Sequence, residues 1–150
     1  MLMTNCLLCF SYILILVLFV IILSIFASCD SDWHLIGKSC YYVSDNSSDC
    51  LKARALCKTK GSDLIVISDA FEQVIPISDT KGLGRFWIGL TDMNDEGMWE
   101  WVDGTSYTTS FKFWRVGEPN DACAHLWKNG EWNDLRCNID NCNAICEKKL

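Results

Sequence analysis

Eight of the ten cysteines lie between Cys29 and Cys146, and they constrain the fold of this chain more than any other feature. They lack the paired C-x-x-C spacing of zinc sites, and the chain has only two histidines. Cysteines used in this way are typical of disulfides formed in an oxidising compartment. Because eight cysteines can pair in roughly a hundred ways, residue spacing alone does not give the connectivity. It does predict a small domain stapled by disulfides.

The N-terminal segment is apolar, and no charged residue precedes Asp30. As a helix, Cys6 to Ala27 would extend about 33 Å at ~1.5 Å per residue, enough to cross a hydrocarbon core of roughly 30 Å. The sequence therefore predicts a short cytoplasmic tail at residues 1–5, a transmembrane signal-anchor at 6–28 and an external domain at 29–150.

This arrangement describes a single-pass type II protein of the cell surface, or of a viral or host membrane, with its C-terminus outside. The alternative is a signal peptide cleaved near Ala27, which would leave a secreted protein. Whether an anchor of this kind forms a homodimer stays open.

Charge and histidine content argue against two function classes. The net charge is −6 at neutral pH, so the basic side chains of the first predicted helix form a solvated face rather than a nucleic-acid surface. His34 and His125 do not stand with a serine or cysteine in any recognised catalytic arrangement. The sequence therefore predicts neither nucleic-acid binding nor enzymatic activity.

Oxygen-bearing side chains are concentrated in the segment WRVGEPNDACAHLWKNGEWNDLRC, residues 114–137. Glu118 and Asn120 flank a proline, and Asn133 and Asp134 follow a tryptophan. Carboxylate and carboxamide oxygens suit calcium, which takes about six to eight oxygen ligands, and they suit zinc or copper poorly. The sequence therefore predicts a calcium site built from these four residues.

The same segment resembles the ligand-binding half of a C-type lectin-like domain. Two upstream motifs, WIGL at 87–90 and MWEWVDG at 98–104, match that family in the same order. The resemblance covers about Trp33 to Glu147, and the chain is similar to viral and natural-killer-receptor-like members of the family. It implies an α+β fold in which two short helices pack on small antiparallel sheets, stapled by disulfides, with a long ligand-binding loop.

Local residue patterns predict the elements of such a fold. These are two strands within Trp33–Val43, a helix over Asp49–Lys60, a short second helix opened by the Asp69 and Glu72 capping pair, and a buried strand over Phe86–Leu90. Gly89 marks a place where another chain segment comes close. The predicted core includes the tryptophans of the strand motifs, Trp87, Trp99, Trp101 and Trp132.

The resemblance also implies three disulfides, Cys29–Cys40, Cys57–Cys146 and Cys123–Cys137. Cys50 and Cys142 remain, and Cys50 stands where many members carry an aromatic residue. Cys50 and Cys57 are two helical turns apart, about 10.5 Å, while Cys142 and Cys146 would share one face of a strand about 13 Å apart. A helix lying along that strand would form two parallel rungs, which predicts a fourth bond, Cys50–Cys142.

In this family, residues matching Glu118, Asn120, Asn133 and Asp134 hold a calcium ion that also binds two neighbouring sugar hydroxyls. The Glu-Pro-Asn order accompanies mannose-type sugars, and its proline is commonly cis, which implies a cis Pro119 here.

An auxiliary calcium is implied at residues matching Asp92, Glu96 and Asp121, for which a solvated acidic turn is the alternative. By its spacing from Cys123, Asp121 also matches an acidic ligand of the main site, because the loop after Asn120 is shorter than in sugar-binding relatives. The sequence leaves open which site Asp121 serves.

The resemblance thus implies a membrane-anchored, calcium-dependent lectin that binds mannose-type glycans, such as those of a cell-surface glycoprotein. The alternative is a calcium-independent domain that binds a protein partner, as in natural-killer-receptor-like members. Among the tryptophans, Trp127 is the predicted ligand contact. Asn46 heads the one N-glycosylation sequon and is a predicted glycosylation site.

Overall fold

The computed structural model describes residues 10–19, 28–73, 84–127 and 129–150. Residues 10–19, inside the predicted anchor, are helical and exposed. Within the described ranges, no helix is both long and apolar enough to span a bilayer. The remainder of the predicted anchor, residues 6–9 and 20–27, lies outside those ranges, as does the predicted tail.

The domain places one long helix against strands that come from both ends of the chain. The named elements are α1 (Cys50–Thr59), β1 (His34–Ile36), β2 (Ser39–Val43), β3 (Asp63–Leu64), β4 (Phe86–Thr91), β5 (Glu100–Trp101), β6 (Cys123–Leu126), β7 (Trp132–Leu135) and β8 (Asn143–Lys149). The strand order is β1-β2-β8-β4-β6-β7, with β3 also paired to β8 and β5 to β4. Strands β1 and β7 are therefore at opposite edges.

One strand pair departs from the prediction of antiparallel sheets. Strand β4 runs parallel to β8, with Phe86 opposite Asn143 and Trp87 opposite Ala144, whereas the other named pairs are antiparallel. Parallel neighbours need a long crossover connection, and the chain between β4 and β8 is long enough because it contains the whole loop region. The sheet is mixed for this reason.

The helix predictions are confirmed where the structure describes them. Helix α1 begins after Asp49, whose side chain accepts a hydrogen bond from the Lys52 amide, and its buried residues are Cys50, Ala53 and Cys57. A second helix begins after Asp69, whose Oδ1 accepts from the Glu72 amide at 2.9 Å. Its predicted end near Pro76 lies outside the described residues.

The core contains the tryptophans assigned to it by sequence. Trp87, Trp99, Trp101 and Trp132 are all buried. Gly89 lies in β4, where its amide donates to Ile65 O and its carbonyl accepts from the Val102 amide, both at 2.8 Å. The predicted close approach at this glycine is thus confirmed.

Among the cysteines that the structure describes, three disulfides are present: Cys29–Cys40, Cys57–Cys146 and Cys123–Cys137. The predicted fourth bond is not formed, because Cys50 and Cys142 are buried free thiols in one apolar cluster. The prediction took Cys142 as part of an extended strand with Cys146. Instead, Cys142 lies just before β8 and makes an isolated bridge to Ser48. Burial raises the pKa of both thiols to about 12, which disfavours the thiolate that forms a disulfide.

Candidate functional site

Two chain segments meet at the β7 edge of the sheet and bring three of the predicted calcium ligands together, Glu118, Asn120 and Asp134. One is the loop through the cis Glu118–Pro119 peptide, and the other is β7 itself. The Oδ2 atom of Asp134 accepts hydrogen bonds from the backbone amides of Asn120 at 2.8 Å and Asp121 at 2.5 Å. Asp134 therefore fixes the loop directly to the strand.

The carboxyl groups of Glu118 and Asp134 lie near enough across these segments to interact electrostatically. Burial raises the pKa of Glu118, and the neighbouring carboxyl group of Asp134 raises it further, while the positive charge of Arg115 opposes the shift. Two neighbouring carboxylates disfavour each other's ionised form, and a cation between them reverses that effect. Glu118 Oε2 also accepts a hydrogen bond from Asn120 Nδ2.

Each predicted metal site contains a buried oxygen without a hydrogen-bond partner among the described residues. These atoms are Oδ1 of Asp134, which is 1% exposed, and Oδ1 of Asp92, which is 4% exposed. Burying an unpaired carboxylate oxygen is costly, and most such atoms in proteins have a partner. A coordinated cation would satisfy the Asp134 oxygen, so the residues of the main site fit calcium.

His125 orients the amide of Asn133, a role that the sequence analysis missed. Its Nδ1 lies 3.1 Å from Leu126 O, which can only accept, so Nδ1 carries the proton and Nε2 accepts from Asn133 Nδ2 at 3.3 Å. Burial lowers the pKa of His125 to about 4, which keeps the ring neutral at neutral pH. The Asn133 nitrogen also donates to Asp134 O at 2.8 Å, leaving Oδ1 as the amide atom available to a cation.

The predicted auxiliary set is only partly assembled. Asp92 accepts from the Gly97 amide at 2.8 Å and donates its own amide to Ala122 O at 3.2 Å, which ties the acidic turn to the loop. Glu96 and Asp121 line one cleft of about 430 Å³. Across the described ranges, no three or more His, Cys, Asp or Glu side chains are grouped so as to hold a metal ion.

Trp127, the predicted ligand contact, has two arginine side chains over its ring. The Arg85 guanidinium carbon lies 4.1 Å from the ring centroid and that of Arg115 lies 5.7 Å away. Neither arginine was singled out by sequence. The sequence places Arg85 one residue before Phe86 and Arg115 three residues before Glu118. This nearness to recognised motifs was the only sequence feature that could have pointed to them.

Comparison with known proteins gives a consistent family assignment. The family described as "Lectin C-type domain" matches residues 46–148. The hepatic lectin of Gallus gallus is 44% identical over 123 residues, which cover 79% of this chain and 58% of that protein. The chain thus spans a little over half the length of that relative.

Solved structures of similar fold include both sugar-binding and calcium-independent proteins. The cow C-type carbohydrate-recognition domain of CD23, solved in the presence of GlcNAc2Man3 oligosaccharide, has a TM-score of 0.77 and 26% identity, covering 83% of this chain and 98% of that one. A calcium-independent type II antifreeze protein has a TM-score of 0.74 and 29% identity, covering 81% and 95%.

Proposed function

The chain belongs to the lectin C-type domain family, a family of carbohydrate-binding domains and not of enzymes, and we propose that it binds mannose-type glycans in a calcium-dependent manner. One observation carries the proposal. The buried Asp134 Oδ1 has no hydrogen-bond partner among the described residues, while Oδ2 of the same side chain holds the loop that carries Glu118 and Asn120.

Each of the four side chains would bind the metal, the sugar or both. When bound, calcium would supply a cationic centre with coordination positions left for sugar hydroxyls. Glu118 and Asp134 would hold the metal and accept hydrogen bonds from hydroxyl groups. Asn133 would contribute only its oxygen, because its nitrogen is already bonded to His125 and Asp134. Asn120 would be the amide that donates to a sugar oxygen.

The preference for mannose-type sugars rests on residue order. Glu118, Pro119 and Asn120 keep the Glu-Pro-Asn order that accompanies such sugars in the family. The hydrogen bonds from the Asn120 and Asp121 amides to Asp134 hold this segment beside the ligands of β7.

The first test is calcium titration of the full chain, kept in solution with a non-glycosidic detergent because its N-terminal segment is apolar. We expect a saturable calcium heat, and binding to mannose-terminated glycans that a chelator abolishes. The Glu118→Gln variant removes one anionic ligand, so its calcium affinity should fall at least about tenfold.

The matched control is Asp140→Asn, which removes an exposed carboxylate that pairs with Lys52 at 3.6 Å and belongs to neither proposed ligand set. It should bind calcium and glycan like the wild type. Absence of calcium heat in the wild type, or glycan binding that persists in chelator, would overturn the proposal.

A second candidate function is calcium-independent recognition of a protein partner. A specific observation favours it: Asn120 and Glu118 hydrogen-bond to each other, and Asp134 Oδ2 is satisfied by backbone amides, so the loop holds together without a cation. The likeness to a calcium-independent antifreeze protein supports only the calcium independence of this candidate function. Glycan-independent, chelator-resistant binding to a protein would establish it.

Membrane attachment is also part of the proposal. The apolar composition of residues 6–28 and the exposed side chains of the helical residues 10–19 support a type II anchor. An anchored lectin of this kind would meet glycans on a cell-surface glycoprotein, and association of two anchors would present two sites.

A further inference from the structure

The register of β4, β6 and β7 places a row of charged and aromatic residues on one face of the sheet. His125 pairs with both Trp87 and Asn133, and Leu126 with Trp132. Because side chains alternate between faces along a strand, Trp127 lies on the same face as His125 and Asn133, one alternation further on. The Trp127 amide continues the pairing by donating to Glu131 O at 2.8 Å.

Two arginines flank Trp127 on this face. Arg85 precedes β4 and approaches from one side, with its guanidinium 4.1 Å from the ring centroid. The chain at Trp114 bridges to Trp132 beyond β7, so Arg115 approaches from the other side, at 5.7 Å. Trp114 packs into the core, and alternation therefore turns Arg115 away from the core toward this face.

The two guanidinium groups are held in place without being neutralised. Neither forms an ion pair within 4 Å of a carboxylate among the described residues. Glu131, which pairs in register with Trp127, has its Oε2 accepting from Asn129 Nδ2 at 2.8 Å. The charge of Arg115 lowers the pKa of Glu118, against burial and Asp134, which raise it. Stacking on an aromatic ring fixes a guanidinium while leaving its N–H edge free to donate.

This pair lies close to the proposed metal site. Trp127 and Asn133 are separated by one alternation of the sheet, about 7 Å, which is comparable with the length of one sugar residue. Planar guanidinium groups bind sulfate and carboxylate through paired N–H donors. A local pair of unneutralised cations is notable in a chain of net charge −6.

We propose that Arg85, Trp127 and Arg115 form a subsite for an anionic substituent, a sulfate or a carboxylate, carried by the sugar at the metal site or by the adjoining sugar. This inference rests on the proposed glycan-binding function and narrows its ligand to acidic glycans. Trp127 acts here as the support for the guanidinium groups rather than as a free platform for a sugar ring.

The test compares mannose disaccharides that are neutral, carry one sulfate on either ring, or carry one carboxylate on either ring, titrated into the full chain with calcium. At least one charged disaccharide should bind roughly fivefold more tightly than the neutral one, as expected for exposed charge pairs. Sulfate and carboxylate probes distinguish the two sources of the anion. The preference should shrink between about 0.05 and about 0.5 M salt because exposed charges are screened.

In the Arg85→Gln/Arg115→Gln double variant, the ratio of charged to neutral affinity should fall to about one. The Lys38→Gln control removes an exposed positive charge in the β1–β2 turn, at the opposite edge of the sheet, and should keep the wild-type ratio. The Arg85→Lys/Arg115→Lys variant keeps the charges but loses the planar donors, so its ratio should be intermediate; it also serves if the glutamine variant does not fold.

The possible outcomes distinguish failure of the anionic subsite from failure of the proposed glycan-binding function. If the neutral disaccharide binds with calcium and no charged one binds more tightly, the subsite is refuted while the lectin function stands. A preference that survives in the glutamine double variant also refutes it. If no disaccharide binds, the proposed function fails, and the subsite fails with it.

Discussion

Asp63, at the start of β3, carries a carboxylate that is held by two basic side chains and a backbone amide. Its carboxylate lies 3.0 Å from Arg54 Nε and 2.7 Å from Lys58 Nζ, and its Oδ1 accepts from the Leu64 amide at 2.9 Å. Burial alone would raise the pKa of Asp63, but the hydrogen bonds from Arg54 and Lys58 outweigh it, and the pKa is lowered. The ionised form is therefore the one that stabilises the fold.

We expect Asp63→Asn to lower the free energy of unfolding at pH 7 by about 1–2 kcal/mol. Because the pKa in the folded state lies below the unfolded value of about 3.9, this stabilisation is fully present above that value and is lost as pH falls through the folded pKa. Urea denaturation across a pH series should show the wild type and the variant converging in acid. The control Asp30→Asn, at an exposed pair 3.7 Å from Lys148, should change stability by less than about 0.5 kcal/mol. Equal stability of wild type and Asp63→Asn at pH 7 would contradict the assignment.

At the scale of residues, sequence identified groups by their chemical type. Glu118, Asn120 and Asp134 were visible because oxygen donors concentrated in two short motifs indicate a hard cation such as calcium, and the structure brings these three together. His125 was not visible as a positioning group, because both its hydrogen bonds depend on the register between β6 and β7. A single sequence gives strand patterns but not which residue of the next strand lies opposite.

Strand β4 depends on a glycine at its centre. A Cβ built on Gly89 would lie 2.9 Å from Leu64 O, 3.1 Å from Ile65 O and 2.5 Å from Val102 Cγ2. Two of these three atoms are backbone oxygens, which cannot move aside without disturbing β3 and the segment after it.

We expect Gly89→Ala to destabilise the domain by about 2–4 kcal/mol through overpacking. Gly84→Ala is the matched control, since nothing lies within 4 Å of its added Cβ, and it should be nearly neutral. Chemical denaturation of both variants measures the difference. A Gly89→Ala protein as stable as Gly84→Ala would show that the strands can separate without cost.

At the scale of elements, the sequence predicted the helices and strands that local patterns encode. It did not predict how distant segments pair in the sheet. The extent of α1 and its inner stripe follow from helical spacing and the Asp49 cap. The parallel pairing of β4 with β8 and the place of Cys142 outside β8 follow from how a distant segment returns to the sheet. No periodicity within either segment carries that information.

For the whole molecule, glycosylation at Asn46 reports which side of a membrane the domain occupies. Asn46 is exposed in the loop between β2 and α1, so a transferase in the secretory pathway can reach it. Expressed in animal cells, the protein should lose mass on treatment with an N-glycosidase, and the Asn46→Gln variant should not. Retention of the glycosylated form in carbonate-washed membranes supports the type II anchor, release into the medium supports cleavage near Ala27, and an unmodified membrane-bound protein contradicts an external domain.

Both ends of the lectin domain come together at one edge of the sheet. The Leu150 amide donates to Lys38 O at 3.0 Å, Lys148 pairs with Asp30, and β7 with its loops occupies the opposite edge. A dye or bead coupled at Leu150 would therefore sit beside the point where the N-terminal segment departs. Copies immobilised through Leu150 would therefore present the loops of β7 on the side away from the support. If these loops bind glycans as proposed, such an array would bind a branched glycan multivalently and far more tightly than a single copy.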